Sequence, residues 1–200
     1  ILDAGDVQYM NAGWAARCAE EAVDDYLIHT LQLWLNLPKR LKQTTISYQN
    51  VLLEDASVVS FDSGHVRVYS GDIAGVTGPL DSLVPITMSE ISLAPGGTYT
   101  HVLPANHNTF LYVLAGELEV GSSRMRLAKT MAATLTFDEQ AEGSELELTA
   151  ISRTKVLIYS GQPIREETIA YGPFVMNTED EIRQAYRDYH DGKFGPPAVL

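Results

Sequence analysis

Cys18 and Glu20 stand two residues apart in the stretch GWAARCAEE, Gly13 to Glu21. On an extended segment, side chains at i and i+2 point to one face, so a thiolate and a carboxylate here can share a metal ion. Two ligands make neither a closed structural site nor a catalytic one, and at least one imidazole would have to come from elsewhere. The plain alternative is a turn with a half-buried free cysteine. The residue types alone leave both readings open.

The five histidines do not complete such a site by spacing. His101 and His107 lie six apart in THVLPANHNTF with a proline between them, which is not the closely spaced pair a metal-binding strand presents. His29 precedes an apolar run and reads as a packing residue, while His65 and His190 read as turn and helix-surface residues. No serine or cysteine sits in a recognisable triad motif. The glycines of SGDIAG match neither a dinucleotide-binding nor a phosphate-binding loop.

The elements that would position these groups have β character. LQLWLNL, VRVYSG, TFLYVLAG, LEVG, SELELTA and KVLIYSG are rich in β-branched and aromatic residues and closely punctuated by Gly, Pro, Asn, Asp or Ser. In GELEVGSSRMRLA, Leu118, Val120, Met125 and Leu127 can face one side and Glu117, Glu119, Arg124 and Arg126 the other, which predicts a half-buried antiparallel hairpin. In TFLYVLAG the alternation places one set of residues inside a barrel and the other outside. Phe110, Tyr112 and Leu114 raise the question of an aromatic-lined interior that holds a small ligand, against plain core packing. Short strands without intervening helices predict a sandwich or small barrel. The helical exception is the tail. Thr178 and Glu181 form a capping box, Ile182, Ala185, Tyr186 and Tyr189 make one apolar stripe, and Gly192 stops the helix, which is expected to pack outside a barrel. The Gly-rich stretch from Ser70 to Ser82 is the expected excursion between two halves of the chain.

At 200 residues and 45% hydrophobic, the chain can bury a substantial core. Its net charge of −12 repels phosphate backbones, so direct nucleic-acid binding is not expected. One cysteine excludes an internal disulfide framework and fits a reducing compartment, cytoplasmic or nuclear. No apolar run approaches the roughly 18 residues that a membrane-spanning helix needs. The opening ILDAGD reads as a strand end, and so as a chain whose upstream part is missing.

LQLWLNLP (Leu31 to Pro38), YGPFVMNTEDEI (Tyr171 to Ile182), AGDVQYMNAG, ISLAPGG with TFLYVLAGELEVG, and VLIYSGQPIRE together resemble the pirin family over nearly the whole chain. The resemblance implies an all-β double cupin: two β-barrels in series, the first incomplete, followed by a C-terminal α-helix. It divides the chain into 1–50, the remainder of the first barrel, and 51–200, the second barrel with the helix. It also implies one metal, iron, held in the first barrel by two histidines of an upstream strand with a histidine and a glutamate of the turn after AG. Here that turn carries Cys18-Ala19-Glu20, so Cys18 and Glu20 are the metal ligands the resemblance implies, with an imidazole replaced by a thiol. No metal is implied in the second barrel.

Two functions follow from the resemblance. One is oxygenation of a flavonol by a metal-dependent quercetin 2,3-dioxygenase. The other is a non-catalytic, co-regulator-type module that contacts a protein partner or a small aromatic ligand. The altered turn favours the second, with iron weakly held or absent. An incomplete first barrel leaves an open strand edge, from which dimerisation or local disorder of the N-terminal residues is expected.

Overall fold

The computed structural model describes residues 1–14, 22, 27–135 and 143–195. The chain forms two compact units: Ile1–Tyr9 with Gln49–Pro163, and Met10–Tyr48 with Ile164–Leu200. The terminal helix thus falls with residues 10–48, where the resemblance had grouped it with the second barrel.

Along the chain, β1 (Val7–Asn11), β2 (Ser47–Val51), β3 (Ser57–Phe61), β4 (Gly64–Ser70), β5 (Asp72–Ile73), β6 (Val76–Thr77), β7 (Ile86–Leu93) and β8 (Thr98–Leu103) are followed by β9 (Asn108–Ala115), β10 (Glu117–Val120), β11 (Met125–Ala128) and β12 (Ala132–Thr134). β13 (Ser144–Ala150), β14 (Thr154–Gly161), β15 (Ile169–Tyr171), β16 (Phe174–Met176) and the helix α1 (Glu179–His190) complete it. β1 pairs with β2.

The first unit holds a six-stranded sheet in the order β12-β9-β14-β7-β4-β3 and a four-stranded sheet in the order β11-β10-β13-β8. Alternate residues of both sheets meet in one aliphatic core. Val66, Val68, Ile91, Leu93, Leu111, Val113, Val156 and Ile158 come from the first sheet, and Leu103, Leu118, Val120, Leu127, Leu146 and Leu148 from the second. The period of two in each sequence run decides which residues enter. It also answers the question about β9. Leu111 and Val113 point into the core, while Phe110 and Tyr112 are half-buried on the opposite face, where Phe110 stacks on Tyr159 with ring centroids 4.9 Å apart. The inward hydrophobic positions of β9 are therefore aliphatic, not aromatic.

Gly116 carries the chain from the larger sheet to the smaller one at φ +78°, and a Cβ there would collide with the Arg153 carbonyl oxygen, so the corner requires glycine. The hairpin that follows has the expected register, Leu118 opposite Leu127 and Val120 opposite Met125. On its solvent side Glu119 meets Arg124 at 2.7 Å and Arg126 at 3.6 Å. The stretch 70–82 is no linker between halves. β5 and β6 form a tight ribbon whose ends return to β4, Leu80 N–H donating to the Tyr69 carbonyl at 2.9 Å.

His101 is a buried polar residue inside the barrel. It lies on β8 between the inward Tyr99 and Leu103, is 1% exposed, and neither ring nitrogen finds a partner among the described residues. Burial disfavours the imidazolium and lowers the pKa from 6.5 to about 4. The unfolded chain therefore binds a proton that the folded one refuses. This group's contribution is complete above pH 6.5 and falls away as the pH drops toward about 4, a loss of about 3 kcal/mol. Urea unfolding at neutral and at acid pH checks this: His101→Leu is expected to lose correspondingly less stability on acidification than the wild type, and equal losses would contradict the assignment.

Candidate functional site

Cys18 and Glu20 lie outside the described residues, which on this side run to Trp14. β1 ends on Asn11, which is buried. Its amide nitrogen donates to the Thr45 carbonyl at 2.6 Å, and its amide oxygen accepts from Gly13 N–H at 3.1 Å. Gly13 takes φ +54°, and a Cβ at that position would collide with the Thr44 carbonyl oxygen. One asparagine and one glycine therefore set the direction in which the chain enters the turn. The next residue, Trp14, meets Phe194 edge to face at 5.9 Å, so the GKFG end of the chain packs beside the start of the turn.

The rest of this unit joins the two segments that carried the resemblance. Lys39 N–H donates to Glu166 Oε2 at 2.6 Å, and Asn36 Nδ2 donates to Thr168 Oγ1 at 3.2 Å. Asn177, buried in FVMNT, donates from Nδ2 to the Glu167 carbonyl at 2.7 Å and to Glu166 Oε2 at 3.3 Å. Lys42 Nζ reaches Asn36 Oδ1 at 2.6 Å and the Val175 carbonyl at 3.3 Å. Burial holds its ammonium below the usual lysine range, against the opposing charges of Glu166 and Glu181. The capping box forms as expected, with Glu181 Oε2 accepting from both Asn177 and Thr178 N–H while Glu181 Oε1 meets Lys39 Nζ at 3.2 Å. α1 rests on β16 through Tyr186 and Phe174, ring centroids 5.0 Å apart. Sequence reasoning missed Asn36, Glu166 and Asn177 as the joints of this unit. Asn36 meets Thr168 and Glu166 meets Lys39 more than a hundred residues away, Asn177 meets Glu167 and Glu166 ten and eleven residues away, and neither spacing leaves a periodic signal.

LQLWLNL forms no strand. It runs without regular structure, with Leu31 and Trp34 exposed, because β composition needs a ladder and none of the described strands pairs with it.

The histidines are scattered. His29 and His190 are exposed, His65 sits on β4 between Ser60 and Ser92, and His101 is buried in the barrel. His107 lies just before β9 with its Nδ1 3.3 Å from Ser160 Oγ. Among the described residues no three His, Cys, Asp or Glu side chains gather into a group that could hold a metal ion. Cys18 and Glu20 by themselves supply two donors, fewer than an iron centre needs.

Two antiparallel sheets closing on an aliphatic core, followed by a capped C-terminal helix, define a cupin-type β protein. A profile of the family described as Pirin C-terminal cupin domain matches residues 88–195. The chain is 30% identical to Pirin of Homo sapiens over 97% of its own length and 67% of that protein's, and 34% identical to a Pirin-like protein of Solanum lycopersicum over 96% and 65%. In structure it is similar to quercetin 2,3-dioxygenase from Acinetobacter baumannii, with a TM-score of 0.82 and 31% identity, covering 98% of this chain and 69% of that one. The chain belongs to the pirin family, and spans about two thirds of the length of the curated relatives it matches.

The entry to the turn is directly testable. Gly13→Ala is expected to lower stability by about 1–3 kcal/mol, because it forces a Cβ into the left-handed region and against a carbonyl. Asn11→Ala is expected to cost about as much by leaving the Thr45 carbonyl without its partner. Thermal unfolding measures both, and an unchanged melting temperature in either variant would refute its part.

Proposed function

We propose that this chain is a pirin-type binding module with a degenerate metal site, whose partner is a protein with a basic surface. The observation that carries this reading is the donor set. Cys18 stands where the resemblance implies a histidine, and the second barrel's inward positions are Leu, Ile and Val. A net charge of −12 suits a cationic partner better than a nucleic acid. The outer face of the four-stranded sheet offers such a partner exposed Glu145 and Glu147 beside Val102, which is 70% exposed. A single cysteine fits a cytoplasmic or nuclear setting.

The second reading is a metal-dependent oxygenase of the quercetin 2,3-dioxygenase type, and the similarity to the Acinetobacter baumannii enzyme favours it. In that case Cys18 and Glu20 are the protein donors from this turn, and a thiolate in place of an imidazole adds negative charge at the metal.

Elemental analysis with a flavonol oxygenation assay decides between them. Purified wild type is expected to carry well under one equivalent of iron and to show no turnover, and Cys18→His to carry more iron than the wild type. Stoichiometric iron with turnover in the wild type would overturn the first reading in favour of the second.

A further inference from the structure

A cavity of about 240 Å³ opens in the first unit, at the end of the barrel where β4 and β7 lie close together. Leu80, Val84, Pro85 and Ile86 supply its apolar wall, and Ser70, Ser82, Thr87 and His107 its polar positions. Behind His107 lies a chain of buried hydroxyls. Thr109 Oγ1 donates to Ser160 Oγ at 2.8 Å, and Ser160 Oγ lies 3.3 Å from His107 Nδ1. Ser160 is 1% exposed and Thr109 5%, so both are removed from water.

The direction of this chain matters. With Thr109 donating to Ser160, the Ser160 proton is free to go to His107 Nδ1, and in that tautomer the neutral imidazole carries its own proton on Nε2. Burial lowers the pKa of His107 from its usual value and so favours the neutral ring. In that tautomer the nitrogen left for a guest is a hydrogen-bond donor without charge. The wall opposite is aliphatic, and the chain's strong net negative charge disfavours an anionic guest.

We propose that this cavity is a binding site for a small uncharged molecule, an apolar ring carrying one carbonyl oxygen that accepts from His107 Nε2–H. The volume lies below the roughly 300–1,000 Å³ of sites for drug-sized ligands, which limits the guest to a single ring with a short substituent. The cavity is lined by residues between 70 and 107, none of them near Cys18 or Glu20 in sequence, and the proposal does not depend on how those two treat a metal.

Acetophenone is the probe, with benzoate as its charged counterpart of the same size. Proton–nitrogen correlation NMR of the histidine side chains reads the result. In the wild type, the His107 ring is expected to show its proton on Nε2, and the Nε2 signal to move saturably as acetophenone is added in the millimolar range. Benzoate is expected to leave it unmoved. His107→Gln is expected to weaken acetophenone binding at least fivefold, followed through the methyl signals of Leu80 and Ile86. Ser160→Ala, which removes the group that holds the tautomer, is expected to give a mixture of Nδ1 and Nε2 protonation and weaker binding. The proposal is overturned by an absence of saturable shifts, by equal binding of benzoate, or by undiminished binding in His107→Gln. Circular dichroism of both variants shows that they are folded, and iron content is unaltered by either, which separates this site from the fate of the metal turn.

Discussion

The contact on which the first unit depends is the meeting of two sheets along one aliphatic seam. Each sheet sends in every second residue, and the seam closes because the inward set is almost wholly Val, Leu and Ile. Close packing of this kind fixes the interior as a core and leaves the aromatics of β9 and β14 on the outside, where they stack on one another. It also explains why the inward His101 stands out. In hydrocarbon, an imidazole without partners is tolerated only while neutral.

The second unit is built on a different principle. Its strands are short and its helix presents only Ile182 and Ala185 as fully buried, so little apolar area is available to hold it. Amides and carboxylates take over. Asn177, Glu166, Asn36 and Lys42 tie backbone groups from the two ends of the chain, and a cluster of edge-to-face aromatics around Phe174 and Phe194 fills the space beside them. Such joints are directional, since hydrogen bonds demand both a distance and an angle. The Asn11–Gly13 entry and the Trp14–Phe194 contact set the start of the turn after β1 with the same directional economy.

The first unit contributes a charged outer sheet face and a small lined cavity, and the chemistry proposed for Cys18 and Glu20 is a separate matter of donor number. A thiolate and a carboxylate bind metal readily enough as individual donors, but number and geometry of donors, not their presence, decide whether a catalytic centre forms.

The hairpin at residues 117–128, the capping box at Thr178 and the β class of the chain were all legible in the sequence, because each rests on neighbours within a few residues or on a period of two. Tertiary structure revised the reading of two stretches and answered one question. LQLWLNL has strand composition but no ladder among the described strands, the Gly-rich stretch 70–82 folds back as a ribbon on β4, and Phe110 and Tyr112 face away from the barrel core. The hydroxyl relay from Thr109 through Ser160 to His107 and the joints of Asn36 and Asn177 were invisible until the fold placed them. The sequence alone determined periodicity and local capping, since those energies are settled between near neighbours. Only the tertiary structure decided which face of each strand met hydrocarbon and which distant polar groups met each other, because those depend on closure of the sheets, a property of the whole chain.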